Sequence, residues 1–404
     1  MALRVTGVLR AATAGVVGFL AGVVVTLAVQ DGGAIPRPGE APLPRISLPS
    51  PVAVAERPGT FLVWSYGGLP EGFGPLLARV PWIREAVVVR SDNTWLTRSW
   101  DAGGTLVDDP ARPYAIPLEV AAVAPRGYAP FLPPPDRSLA DALAAGEGVL
   151  GASSARLRGL GPGAVLAFGE VRVPVAAVLP DELVGANELL VSRKVGEAIG
   201  VERPRYALLQ PSRRLTAGDV TRRVGGLMPP GLAFQVRAPG DTPYLRQGDA
   251  VLPPVRIKML FGEFAARPDP DRPGYLEIDP DWVETHIARV RVPVLGEITC
   301  NVGLIPQIEG AMRELRRAGR ADLVRSYHGC WSPRYVLRDP DANISHHAWG
   351  IALDINLTGN AFGEPPHQPP YLVKVLERWG FIWGGRFIVP DGNHFEYRRP
   401  PLGR

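Results

Sequence analysis

The chain has 404 residues, 46% hydrophobic and 21% charged, which is the composition of a globular protein with room for two or three domains. Glycine (46) and proline (44) are abundant, so many loops and few long helices are expected. The formal charge of +4 is small for this length, and no dense basic stripe with interleaved aromatics occurs, which leaves nucleic-acid binding without support.

Residues Ala11 to Gln30 carry no charge and are mostly Val, Gly, Ala and Leu. About 20 such residues span a bilayer as a helix. Arg4 and Arg10 precede the run and Asp31 follows it. The positive-inside rule then places the N-terminus in the cytoplasm and the rest outside. A cleaved signal peptide is the alternative reading. Its apolar region is about 7–15 residues long and ends in a small-residue site, whereas this run is longer and ends Leu27-Ala28-Val29-Gln30. The expectation is a single-pass plasma-membrane anchor within residues 1–30, with the bulk of the chain extracytoplasmic. Residues 31–58 hold seven prolines and no regular apolar period, which reads as a semi-extended linker.

Residues 59–262 read as an α+β extracytoplasmic domain. Thr60 to Trp64 looks like a strand. Ala86 to Arg90 and Thr94 to Trp100 read as two strands around a hairpin-type break at Ser91-Asp92-Asn93. Tyr114 to Ala122 is another strand, and Val165 to Phe168 and Val171 to Val178 flank a turn at Gly169-Glu170. Asp136 to Ala145 has helical spacing, with Leu139, Leu143 and Ala144 on one side and Asp136 as N-cap. Thr216 to Met228 reads as a helix and Leu232 to Val236 as a strand. No histidine precedes His286, so no histidine-based metal site can lie here. A spacer, or a surface for other cell-envelope proteins, is the expected role.

Residues 263–404 open on the turn-rich stretch Arg267 to Pro273. Ile305 to Gly319 is the clearest helix: Ile308, Met312, Leu315 and Ala318 share one face and Gly319 ends it. Tyr371 to Trp379 is a second helix, and Phe381 to Trp383 and His394 to Tyr397 read as strands. If Gly350 to Ile355 is also a strand, alternation puts Ala352 and Asp354 on one face and Ile351, Leu353 and Ile355 on the other. Cys300 and Cys330 are the only cysteines. Outside the cytoplasm they are free to oxidise, and a bridge would close a loop of about 30 residues, worth about 3–4 kcal/mol. Two buried free thiols are the alternative.

The chemistry concentrates in two stretches. The first is Ser345-His346-His347-Ala348-Trp349-Gly350-Ile351-Ala352-Leu353-Asp354; the second, forty residues on, is Asp391-Gly392-Asn393-His394-Phe395-Glu396. Imidazoles with one carboxylate ligand and one spare carboxylate are what a catalytic zinc site needs: three protein ligands, a fourth position for water, and an acid to take a proton.

The pattern S-x-H-x-x-G-x-A-x-D followed by D-x-x-H-F-E resembles the zinc D-alanyl-D-alanine carboxypeptidase family, which cleaves peptidoglycan stem peptides as carboxypeptidases or endopeptidases. The resemblance implies an α+β fold with a small antiparallel sheet, shared with hedgehog domains. It implies Zn2+ held by His347, Asp354 and His394, with Asp391 as general base. It also implies that an arginine in the segment Gly329-Cys330-Trp331-Ser332-Pro333-Arg334 binds the substrate's terminal carboxylate or scissile carbonyl, a role for Arg334. A plain surface arginine is the alternative for Arg334, with Arg325 and Ser326 as other candidates. Many relatives have Glu at the place of Asp391, and Asp391-Gly392 is also a favoured turn pair. Glu396 is the competing base, or it holds a histidine in position. The family spacing selects His347 over its neighbour His346, while His286, His328 and His367 lack a partner at metal spacing.

Farther upstream, the run Gly148 to Gly163 loosely resembles the periplasmic core domain of exporter-type ABC permeases. The implied activity is a membrane-anchored zinc peptidase. The other readings are a zinc-containing cell-wall-binding module and a transporter accessory protein.

Overall fold

In the computed structural model, which describes residues 59–241, 248–249 and 252–401, runs rich in Val, Leu and Ala pair into a sheet of eleven strands. The anchor and linker expected over residues 1–58 lie outside these residues, and no described helix is long and apolar enough to cross a membrane. In chain order the strands are β1 (Phe61–Ser65), β2 (Ile83–Leu96), β3 (Arg98–Trp100), β4 (Leu106–Asp108), β5 (Ile116–Val123) and β6 (Gly148–Gly151). There follow β7 (Val165–Phe168), β8 (Val171–Leu179), β9 (Leu189–Ser192), β10 (Pro204–Pro211) and β11 (Phe234–Arg237). Their spatial order is β11-β1-β10-β2-β5-β9-β6-β8-β7-β3-β4. All pairs are antiparallel except β5 with β9 and β6 with β8. Alternation buries both faces. Leu62, Val89, Tyr206 and Leu208 enter one core, while Val63, Val88, Ala207 and Leu209 enter another.

The hairpin expected at Ser91-Asp92-Asn93 does not form. β2 runs unbroken through it, pairing with β10 along its first half and β5 along its second. Two of the three polar side chains find tertiary partners instead: Ser91 Oγ donates to Asn187 Oδ1 at 3.0 Å, and Asp92 pairs with Arg205 at 3.2 Å. Such residues favour turns because their side chains bond locally to backbone, and that advantage lapses when distant partners supply the bonds. The turn at Gly169-Glu170 does join β7 to β8. The helix expected from Asp136 is Leu139–Ala145, and Asp136 sits in a preceding 3-10 turn rather than at the N-cap. The helix near Thr216 is Ala217–Gly225, closed at its start by a capping box between Thr216 and Asp219.

A buried ion network joins the large sheet to the C-terminal part. Lys258, on the helix Pro254–Phe261, reaches Glu188 at 2.6 Å and Glu263 at 3.0 Å, while Arg158 reaches Glu263 at 2.5 Å and Glu188 and Asp108 at 3.3 Å. Burial works against the Arg158 charge, but Glu263, Glu188 and Asp108 hold it well above its ordinary pKa. Deleting one member of such a network strands a buried charge, at a cost of about 3–5 kcal/mol.

The C-terminal part begins with two short antiparallel pairs, β12 (Ala266–Pro268) with β13 (Leu276–Ile278) and β14 (Ile287–Val292) with β15 (Gly296–Asn301). A four-stranded antiparallel sheet comes next, made of β16 (Tyr327–Gly329), β17 (Ala352–Ile355), β18 (Phe381–Trp383) and β19 (His394–Tyr397) in the order β16-β17-β19-β18. Helix α1 (Ile305–Arg317) buries Ile308, Met312 and Leu315, and α2 (Pro370–Arg378) buries Leu372, Val375 and Leu376. The helices approach closely because residue 310 is glycine: a Cβ there would stand 2.0 Å from the Trp379 ring. Cys300 and Cys330 form a disulfide with Cα atoms 5.4 Å apart, tying β15 to the segment after β16.

Candidate metal centre

The site starts at a turn. Ser345 Oγ accepts from His347 N at 3.3 Å and caps the 3-10 turn His346–Trp349. Gly350 closes the turn at φ 66°, where a Cβ would lie 2.7 Å from Asn301 N, so only glycine fits. The turn leaves His347 2% exposed. β17 begins at once and pairs with β19 so that Asp354 lies opposite His394 and Ala352 opposite Glu396. Directly opposed residues of an antiparallel pair share a face. The strand register therefore brings the carboxylate and the second imidazole together.

Three donor atoms form a nearly equilateral triangle. His347 Nε2 lies 3.2 Å from Asp354 Oδ1 and 3.3 Å from His394 Nδ1, and His394 Nδ1 lies 3.3 Å from Asp354 Oδ1. A zinc ion about 2.0–2.1 Å from each donor at tetrahedral angles separates them by about 3.3–3.4 Å. The triangle fits such an ion, and it is the one metal-competent cluster of His, Cys, Asp or Glu found among the described residues. The Asp354 side chain is 21% exposed against 3% for His347, so the site opens on the carboxylate side.

Each ring has its other nitrogen engaged. His347 Nδ1 donates to Cys330 O at 2.8 Å, and His394 Nε2 donates to Glu396 Oε2 at 3.1 Å. These bonds leave His347 Nε2 and His394 Nδ1 as the nitrogens that face the triangle, able to ligate once they carry no proton. His346 points elsewhere, and its Nδ1 donates to the same Glu396 oxygen at 2.8 Å. Glu396 is thus a buried acceptor for two rings.

The electrostatics reflect this geometry. Burial pushes the Asp354 carboxyl up, but hydrogen bonds from His347 and His394 hold it far below the usual carboxylate range. Burial also pushes Glu396 up, and His346 and His394 outweigh it. Burial lowers His394, yet Asp354 and Glu396 raise it to about 10 when no cation shares the site.

Asp391 lies on the loop between β18 and β19. Its N donates to Gly384 O at 2.9 Å, its O accepts from His394 N at 3.1 Å, and its Oδ1 accepts from Asn393 Nδ2 at 2.7 Å. Burial raises its pKa; His394 opposes this and Asp354 adds to it.

The backbone of Arg334 bridges Tyr275, and its carbonyl accepts from Ser345 N at 3.0 Å, at the foot of the histidine turn. Its half-buried guanidinium is paired with no carboxylate among the described residues. Burial lowers its pKa while the charge of Asp354 works against that.

Arg325 and Ser326 donate their backbone N–H groups to Asn356 Oδ1 at 2.6 and 3.1 Å. His286 stacks on Trp282 at 4.6 Å, and His328 and His367 stay outside the triangle. Trp349 and Phe395 are buried in the core, whereas Trp383 braces the Asp391-Gly392 turn by donating to Gly392 O at 2.8 Å. The Cys330 carbonyl is the one contributor with no sequence signal, because a backbone oxygen leaves none.

Residues 338–397 match the family model of D-alanyl-D-alanine carboxypeptidases. The matched span holds His347, Asp354, Asp391 and His394, and ends before Arg398. Three solved structures are similar to the chain over other lengths. The periplasmic region of MacB from Actinobacillus actinomycetemcomitans is 12% identical, over 42% of this chain and 82% of that one, with a TM-score of 0.30. The extracellular domain of the noncanonic ABC-type transporter YknZ from Gram-positive bacteria is 13% identical, over 44% and 100%, at 0.28. A permease-protein domain from Porphyromonas gingivalis is 11% identical, over 44% and 85%, at 0.25. No curated protein matches the chain. The likeness to D-alanyl-D-alanine carboxypeptidases read from the sequence recurs in the family match.

Proposed function

We propose that the chain is a membrane-anchored, extracytoplasmic zinc peptidase that hydrolyses peptide bonds in peptidoglycan stem peptides. The observation that carries the reading is the donor triangle of His347, Asp354 and His394, whose charges are felt by Asp391, within the segment that matches D-alanyl-D-alanine carboxypeptidases. His347 Nε2, Asp354 Oδ1 and His394 Nδ1 would hold the ion. Zinc in such a site supplies a Lewis acid and lowers the pKa of water to about 7.

The chain's own groups do the rest. Asp391 takes a proton from the attacking water on its carboxylate and returns it to the leaving amine. The burial that raises its pKa makes it the stronger base. The Arg334 guanidinium, free of any carboxylate partner among the described residues, receives the substrate's carboxylate or the carbonyl oxygen as charge develops there. Glu396 and the Cys330 carbonyl keep both imidazoles in the ligating tautomer.

The test uses the full chain, loaded with zinc and incubated with defined muropeptides, with products weighed by mass spectrometry. Cleavage by the wild type, with hydrolysis lost in Asp391→Ala while zinc content stays the same, is the expected result. Unchanged turnover in that variant removes Asp391 from the mechanism. A wild type that binds muropeptides without cutting them removes the peptidase.

A further inference from the structure

One side chain just after β1 reaches Phe362, which pairs with the loop that carries Asp391. β1 ends at Ser65, and the chain turns at once through Gly67 and Gly68, at φ 81° and 110°. Gly68 N donates to Ser65 O at 3.1 Å, and a Cβ on Gly68 would stand 2.8 Å from Pro204 O. This tight reversal leaves Tyr66 37% exposed just past the end of β1. Its ring lies against Phe362, with centroids 5.4 Å apart. Phe362 in turn forms a β-bridge with Asp391, and Gly363 N donates to Pro390 O at 2.7 Å.

A second tie fixes the same loop. Ile388 packs on the core beneath β1, and its N donates to Asp249 Oδ2 at 3.0 Å. The charge of Asp391 is also felt at Tyr66: burial first, then the Asp391, Asp339 and Asp249 charges, push its phenol up. Other contacts brace the far arm of the site, where Arg203 pairs with Asp341 at 2.6 Å, six residues before His347.

The peptidase chemistry gives this arrangement a direction. A group that returns a proton to the leaving amine must stand beside that amine. Surfaces flanking Asp391 on its outer side therefore face the residue that comes after the scissile bond. The exposed aromatic there is Tyr66, backed by Phe362. A tyrosine ring offers a large contact area with few rotatable bonds to freeze.

We propose that Tyr66 forms the leaving-group wall of the cleft and sets which leaving residue is accepted. The domain before residue 263 is then part of the specificity apparatus rather than a spacer. This inference rests on the peptidase reading above.

The experiment compares two substrates with the same acyl part, one releasing a single D-alanine and the other a longer peptide. Full-length, zinc-loaded wild type, Tyr66→Ala and Tyr66→Phe are assayed on both. Tyr66→Ala is expected to change the ratio of the two kcat/KM values by about 5–20-fold, mainly through KM. Zinc content and kcat should stay within about twofold, and Tyr66→Phe, which keeps the ring, should behave as wild type. An unchanged ratio in Tyr66→Ala overturns the proposal. So does an equal loss of kcat on both substrates, which would make the ring a mere prop for Asp391. If the wild type cuts neither substrate, the peptidase reading itself falls and this one falls with it.

Discussion

Replacing Glu396 by glutamine separates the two roles open to that carboxylate. Its Oε2 receives His346 Nδ1 at 2.8 Å and His394 Nε2 at 3.1 Å, and the residue is only 5% exposed. Glutamine keeps the shape and one acceptor but removes the charge. A hydrogen bond to a charged partner contributes about 1.5–3 kcal/mol, and of the two only the bond to His394 touches a proposed zinc ligand. Losing its charge therefore weakens zinc binding by roughly 10–150-fold, at about 1.4 kcal/mol per tenfold. That range overlaps the roughly 10–100-fold loss usual when a ligand's outer partner is removed. Competition with a chromogenic chelator measures the zinc Kd, and muropeptide turnover at saturating zinc measures kcat. The Kd should rise while kcat at saturating zinc stays within about threefold. An unchanged Kd would show that the His394–Glu396 bond does not tune the ligand. Loss of turnover with zinc still bound would make Glu396 the base and refute the assignment to Asp391.

Other outcomes rest on the same geometry. Asp391→Ala should keep its zinc and lose hydrolysis, read by metal analysis beside mass spectrometry. His394, held up to about 10 without a cation, is protonated at neutral pH and must give up its Nδ1 proton to ligate. Zinc uptake near pH 7.5 should therefore release about one proton, and the apparent affinity should fall about tenfold per pH unit as pH is lowered. Calorimetry in buffers of different ionisation enthalpy checks this, and release of no proton would contradict it. Replacing both Cys300 and Cys330 by serine opens a bridge with a sequence separation of 30, which should cost about 3–4 kcal/mol in denaturant unfolding. It should also weaken zinc binding, because the Cys330 carbonyl orients His347.

The two-motif pattern made much of the centre legible. His347, Asp354 and His394 are spaced so that a short turn and two strands deliver them, and strand alternation alone puts Asp354 with Ala352 and away from Ile355. The helix Ile305–Arg317 was equally readable, since its apolar positions repeat at helical spacing. Local pattern was enough in these places because the forces involved act between residues close in sequence.

Other features came only with the tertiary structure. Ser91-Asp92-Asn93 has turn chemistry, yet Asn187 and Arg205, about a hundred residues away, satisfy Ser91 and Asp92 and the strand continues. Which nitrogen of each imidazole faces the donor triangle depends on Glu396 and on a backbone carbonyl at Cys330. Tyr66 is almost three hundred residues from Phe362, and the two rings meet only in the folded chain. Short-range periodicity determines the elements and the ligand spacing. The partners that tune and wall the site are chosen by packing between segments with no sequence relation, and only the folded chain decides those.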